Sequence, residues 1–316
     1  MSAGVATTYK AREVEEIIDI AFYRPLGYRI ALAARSVRAT PNMLTVVGII
    51  IGVAAGHFFY YDSLALNVLG MGLWVVSNMF DSADGQLARL TGQATRLGRI
   101  LDGLGGNLVF ISIYVHICLH YAQAGGAIGW WVFAIAVAAG ASHSMQSAMA
   151  DYYRNSFLRF GVQGRKGELD RSSEVRERYN ELSWKRNFWN KLFLRFYLNY
   201  CLQQEGFSPK FQVLRDAIGT AFGNTVPEDY AAEYRKLNKP LLKYYNFMTI
   251  NGRVLTLFGF ILIGYPEWFF VAEITAFNLL LWAVLRKQEQ NNAVLAQKAM
   301  SYRSVGSANK KVVEAT

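Results

Sequence analysis

Cysteine and histidine are scarce: the 316-residue chain has two cysteines and four histidines. Cys118 falls in an apolar run and Cys201 in a polar one, which excludes a disulfide framework and a cysteine-based zinc site. His57, His116 and His120 stand toward the ends of apolar runs, where packing or interfacial contacts account for them. The N-terminus is mixed and polar, with no short apolar core followed by a small-residue cleavage site, so targeting is expected to use the first apolar run itself. A nucleotide-binding glycine loop is also missing. The stretch GVQGRKG at 161–167 matches neither a P-loop nor a dinucleotide fingerprint and reads as a plain loop. No repeat or low-complexity tract occurs. No recognised nucleic-acid fold accompanies the basic residues, and nucleic acid is excluded as a partner.

What is abundant is apolar and aromatic sequence. Hydrophobic residues make up 53% and aromatics 14%, yet mean hydropathy is only +0.14, so apolar blocks must alternate with a large polar region. Runs able, or nearly able, to cross a hydrocarbon layer of about 30 Å occur at 43–61, 64–80, 99–121, 127–150, 247–264 and 267–285. Six transmembrane helices are expected. The second run holds Asn67, Ser77 and Asn78 and suits a bundle interior better than lipid. Loops at 62–63, 122–126 and 265–266 contain no Lys or Arg, whereas essentially all 33 lie in the other connections and the two ends. The positive-inside rule then places both termini and the 81–98 connection in the cytoplasm. A net charge of +10 reads as attraction to anionic headgroups and to an anionic nucleotide.

Five segments follow. Residues 1–42 form a cytoplasmic and interfacial leader whose 12–37 stretch alternates apolar and basic residues at helical spacing, as an amphipathic helix lying along the membrane does. Residues 43–150 form the first four transmembrane helices. The segment 151–246 is too polar to span and too rich in Phe, Trp, Tyr and Leu to be disordered, so a cytoplasmic helical insertion touching the membrane surface is expected. Residues 247–285 form the last two spans and 286–316 a cytoplasmic tail. The fold class is an all-α integral membrane protein.

The chemistry concentrates in DSADGQLAR, eight residues, then GRILD, with the two halves at the junction of two apolar runs. Asp81 and Asp84 are three apart and share a helix face. Hard oxygen donors of this kind suit a magnesium or manganese ion that also holds phosphates. Gly85 leaves the backbone open, and Arg89 offers a forked, permanently charged donor for phosphate. Asp102 follows 18 residues after Asp84, enough for a turn and a new helix that returns a third carboxylate. A helix end needs one polar residue and has no use for this ordered set. A cation-coupled transporter would also place acids at a membrane boundary, and it remains an alternative on the residues alone.

This span resembles the signature of the CDP-alcohol phosphotransferase family, D-x2-D-G-x2-A-R-x8-G-x3-D-x3-D. It matches at Asp81, Asp84, Gly85, Ala88, Arg89, Gly98 and Asp102, seven of eight fixed positions, and Gly106 stands where the family has its fourth Asp. The resemblance implies a metal site of Asp81, Asp84 and Asp102 holding Mg2+ or Mn2+. It implies a CDP subsite of Asp81, Asp84, Gly85, Ala88, Arg89 and Gly98, a CDP-linked donor, a lipid or polar alcohol acceptor, release of CMP in phospholipid synthesis, and a homodimer. In the family the fourth carboxylate contributes to the metal site and deprotonates the acceptor. Its absence makes the base unknown, with Asn107, Asp151 and His143 as candidates and Glu168 or Asp170 behind them. The alternative is a CDP-lipid or nucleotide-binding membrane protein with impaired turnover. Tyr152, Tyr153, Arg154 and Arg159, read as a basic aromatic loop, favour a phosphorylated acceptor such as an inositol phosphate.

Overall fold

Long apolar runs without internal proline propagate as helix, because each added residue brings one hydrogen bond while lipid offers the backbone no other partner. The computed structural model describes residues 14–93, 95–162, 167, 169–223 and 225–313, and at 96, 97, 99, 100, 102 and 303–313 it describes the backbone alone. Among these residues the regular elements are helical and no strand occurs. A π-helical turn, Asp19–Tyr23, leads into α1 (Arg24–Ser36), followed by α2 (Pro41–Phe58), α3 (Leu64–Thr91) and α4 (Arg96–Gln123). A 3-10 turn at Gly129–Trp131 precedes α5 (Val132–Gly161), and then come α6 (Ser172–Glu181), α7 (Phe188–Gly206), α8 (Pro209–Phe222) and α9 (Glu228–Phe247). The chain ends with α10 (Ile250–Leu262), α11 (Trp268–Ala272), a π-helical turn at Glu273–Phe277 and α12 (Asn278–Val313).

Among the described residues, four helices are long and apolar enough to cross a membrane: Pro41–Phe58, Leu64–Thr91, Gly103–Gln123 and Trp268–Tyr302. Two of the six expected runs fall short of that standard. The helix Ile250–Leu262 is apolar but has 13 residues, about 20 Å at 1.5 Å per residue. Val132–Gly161 is long enough, but Ser142, His143, Ser144, Gln146 and Ser147 dilute its second half. The run expected to stop at 80 continues as helix to Thr91, so the acidic motif stands on the last turns of α3 instead of in a junction after it. Likewise the segment from 286 onward continues α12 as helix to Val313.

The chain divides into two compact units, Met1–Ala141 with Asn251–Ile274, and Ser142–Ile250 with Thr275–Thr316. In the first, Trp74 is buried edge-on to Phe110 (5.2 Å) and Phe258 (5.9 Å). This apolar cluster encloses an ion pair. Arg253 Nη1 lies 2.5 Å from Glu273 Oε1 with both side chains fully buried, and the Tyr114 hydroxyl donates to the same carboxylate. Pairing is what makes such burial tolerable, since a lone charge there would cost several kcal/mol, of order 3–5.

In the second unit α8 and α9 pack on α12, and α6 on α7. Its interior is aromatic and polar together. Tyr152 and Tyr153 pack on Phe211 at 5.1 and 5.5 Å, the Tyr153 hydroxyl donates to Glu289 (3.1 Å), and Gln288 donates to Asn238 (2.7 Å). These tyrosines correct the acceptor-loop reading: they belong to the continuous helix α5 and are 2% exposed.

Candidate functional site

Glycines at intervals of four set the geometry of the first unit. Gly48, Gly52 and Gly56 form one stripe on α2, and the neighbouring helices close on it. A Cβ on Gly52 would stand 2.5 Å from Val109 and 2.6 Å from the Ser77 hydroxyl, and one on Gly56 2.6 Å from the Ser112 hydroxyl. The hydroxyls of Ser77 and Ser112 use that proximity to donate to the carbonyls of Gly48 (2.7 Å) and Val53 (2.8 Å). Small residues permit this approach, and side-chain hydrogen bonds fix it, as in membrane bundles generally.

That contact sets the register of the motif. Ser77 on α3 and Val109 on α4 flank the same glycine. Asp84 is seven residues from Ser77, and Asp102 is seven from Val109, each toward the 92–95 connection. Seven residues are two turns, about 10 Å, so the backbones at 84 and 102 reach the same level. The Asp102 side chain lies outside the described residues.

Asp84 is buried, and Thr45 in the second turn of α2 donates its hydroxyl to Asp84 Oδ2 at 2.5 Å. The α2 N-terminus is capped by Thr40 on the Met43 N–H (3.3 Å), just ahead of Thr45. Asp81, one turn earlier, is exposed. Arg89 reaches back over Gly85, where a Cβ would stand 3.4 and 3.5 Å from its two terminal nitrogens. Ala88 is half-buried, and its carbonyl accepts the N–H of Gln93 (3.0 Å) as Gly92, at φ +68°, ends the helix in the left-handed region. Gly98 lies in the first turn of α4: its N–H donates to the capping Thr95 hydroxyl (3.0 Å), and a Cβ there would stand 3.0 Å from Asn42 Oδ1.

α1 braces this end of α3. Ala31 and Ala34 pack with Leu44, Ala83 and Leu87, and the buried Gln86 amide donates to the Arg24 carbonyl (3.0 Å). A Cβ on Gly27 would stand 2.9 Å from both Gln86 and Ser82. Thr45 and Gln86 are the contacts that pattern reading missed. Thr45 is 39 residues from its partner and carries no local signal, whereas Gln86 lay inside the motif as an unassigned position.

Asp81 and Asp84, one helical turn apart, carry the hard oxygen donors that Mg2+ or Mn2+ takes. Among the described residues no group of three His, Cys, Asp or Glu forms a metal cage.

The three candidate bases have different settings. Asn107 is exposed, and its amide donates to the Gly103 carbonyl at 2.8 Å. Asp151 is exposed and accepts from the Tyr200 hydroxyl (3.0 Å) within the second unit. His143 is half-buried in that unit. Asp170 is paired with Arg178 (2.8 Å), and Glu168 lies outside the described residues, as do 163–166 of the GVQGRKG loop. Gly106 is exposed, and among the described residues nothing lies within 4 Å of a Cβ position there.

Comparison with known proteins bears on this same stretch. The family model described as CDP-alcohol phosphatidyltransferase matches residues 38–156. The chain is similar to the "Archaetidylinositol phosphate synthase" of Pyrococcus horikoshii, 33% identical over 102 residues that cover 32% of this chain and 50% of the relative. It is also similar to the "Putative cardiolipin synthase" of Mycobacterium bovis and of Mycobacterium tuberculosis, 32% identical over 100 residues, 32% of this chain and 44% of each relative. The chain thus spans half or less of the length of these curated relatives.

Proposed function

We propose that this chain, whose residues 38–156 carry a CDP-alcohol phosphatidyltransferase domain, transfers a phosphoalcohol or phosphatidyl group from a CDP-linked donor to an acceptor hydroxyl, releasing CMP. The observation that carries the reading is the buried Asp84, tethered by Thr45 at the α2 N-terminus and level with residue 102 on α4. A structural helix end gains nothing from burying a carboxylate that must be hydrogen-bonded to be tolerated. A site for divalent metal and diphosphate does.

Asp81, Asp84 and Asp102 would hold Mg2+ or Mn2+, which would supply positive charge against the diphosphate and the leaving CMP. Thr45 fixes the Asp84 carboxylate so that little reorganisation is needed as charge shifts. Arg89, folded over Gly85, binds a phosphate of the nucleotide by its fork. The bare surface of Gly85 and the small Ala88 leave room for cytidine, and Gly98 lets the start of α4 approach Asn42 so that the site stays narrow. No carboxylate follows Asp102 by one turn. Gly106 is therefore the observation that favours the second reading, a CDP-lipid-binding protein of low turnover, over a fast enzyme.

For topology we propose six crossings, with Val132–Gly161 and Ile250–Leu262 added to the four long apolar helices. Charge supports this. With four crossings alone, the Lys- and Arg-rich 151–246 segment would lie across the membrane from the N-terminus; Val132–Gly161 returns it to the same side, and Ile250–Leu262 then keeps the C-terminus there too, with the termini and the Asp motif in the cytoplasm. A homodimer is proposed from the family resemblance.

Purified protein in lipid nanodiscs, given CDP-diacylglycerol and a panel of phosphorylated and plain alcohols, should release CMP with Mg2+ or Mn2+ and stop with chelator. CDP-lipid binding without CMP would select the second reading. Flux across a sealed vesicle without CMP would overturn both in favour of a transporter.

A further inference from the structure

α7 is apolar on two sides, and the second unit covers only one of them. Leu194, Leu198 and Cys201 form the side turned to Val175 of α6. On the other side Phe188, Trp189 and Phe196 are 50%, 67% and 66% exposed, with Trp184 just ahead of the helix at 44%. Exposed Lys185, Arg186 and Arg195 are interleaved with these rings. Lys191 differs, because its ammonium donates to the Leu182 carbonyl (2.5 Å) and stands 4.6 Å over the Tyr179 ring.

The same unit also fixes the height at which α7 sits. The Tyr200 hydroxyl donates to Asp151 and the Gln204 amide to the Ala148 carbonyl (2.9 Å). Immediately after α7, the N–H of Lys210 in the first turn of α8 donates to Glu289 Oε2 (2.7 Å). Glu289 lies three residues, about 4.5 Å, beyond Arg286, where the apolar stretch of the membrane-crossing helix Trp268–Tyr302 ends. There the Arg286 guanidinium stands 5.4 Å from the ring of Trp282, which is 60% exposed. An exposed Trp with a basic residue one turn on is the pattern of a membrane–water boundary. The end of α7 is thus held at the height where α12 leaves the hydrocarbon.

We propose that 184–196 is a peripheral membrane anchor whose aromatic side lies in the headgroup layer of an anionic leaflet, with Lys185, Arg186 and Arg195 on lipid phosphates. Aromatic rings that are apolar in body, flanked by long basic side chains, match that layer on both counts, and charge complementarity selects anionic lipid. The anchor rests on residues of the second unit alone and does not depend on the transferase reading.

The test uses the full chain in nanodiscs, with its two native cysteines buried and a nitroxide attached through Trp189→Cys, Phe196→Cys or Glu181→Cys in turn. On discs containing phosphatidylglycerol, labels at 189 and 196 should be reached by dissolved oxygen and shielded from an aqueous nickel chelate, and the label at 181 should show the reverse. Lys185→Glu, Arg186→Glu and Arg195→Glu together should shift the 189 label toward nickel on anionic discs and leave it unmoved on phosphatidylcholine discs. Nickel access at 189 and 196 equal to that at 181 overturns the anchor. Shielding from both reagents also overturns it, because a protein surface would then cover the face. Equal shifts on both lipids overturn the phosphate contacts.

Discussion

Thr45 and Asp84 meet across the α2–α3 contact, the threonine hydroxyl 2.5 Å from the carboxylate, although 39 residues separate them. The bond joins one helix to the buried acid of the other, and removing it takes a hydroxyl donor from a buried carboxylate at a cost of about 1–3 kcal/mol.

Thr45→Val should therefore weaken Mn2+ binding by roughly tenfold, about 1.4 kcal/mol, and lower CMP release with it, while Thr45→Ser should retain both. Mn2+ titration followed by electron paramagnetic resonance checks this. Equal behaviour of the Val and Ser proteins would show that the hydroxyl does not position Asp84.

Gly106→Asp should be tolerated by the fold, since among the described residues nothing lies within 4 Å of its Cβ position. A carboxylate one turn after Asp102 should raise the rate of CMP release by about 10²-fold if no other base serves the acceptor, and should tighten Mn2+ binding. Tighter metal binding at an unchanged rate would mean that another group already takes the proton.

The glycine stripe predicts a contrast in stability. Gly52→Ala forces a methyl to 2.5 Å from Val109 and should cost about 1–3 kcal/mol as overpacking. Gly72→Ala, on α3 with open space around it, should be close to neutral. Thermal unfolding in detergent measures both, and similar melting points would refute the role of the stripe.

Cys201 supplies a pH signature. Burial pushes its thiol from the usual value of about 9 to about 11. The folded state therefore keeps a proton that the unfolded state loses, so this contribution to stability is complete below about pH 9 and fades between about pH 9 and 11. Cys201→Ala should flatten stability across that window, and the native thiol should resist iodoacetamide at pH 8 until the protein is unfolded.

The chemistry of this chain was legible because it is dense and local: seven motif positions lie within residues 81–102 and need no partner from elsewhere to be read. The helical class was legible from run length. What escaped was long-range. Thr45 is an ordinary threonine until α3 is laid beside it, and the Arg253–Glu273–Tyr114 cluster joins three helices whose separate sequences give no hint of pairing. The Gly48–Gly52–Gly56 spacing was a visible signal that went unread among the apolar residues around it. Two of the six expected runs do not stand out by hydropathy, because Ile250–Leu262 has 13 residues and α5 is apolar in its first half and polar in its second. α3 passes straight through Gly85, since one glycine costs a helix only about 1 kcal/mol and the packing of α1 and α2 on this end outweighs that.

The central claim is that the buried Asp84 serves the reaction as a metal ligand, and Asp84→Asn tests it most directly. The amide keeps the size and an acceptor for Thr45 but lacks the charge, so the fold should persist. Parent and variant in nanodiscs should be compared for Mn2+ affinity and for CMP released from CDP-diacylglycerol. The account predicts a folded variant with Mn2+ binding and CMP release both lost; Mn2+ affinity equal to the parent's would contradict it.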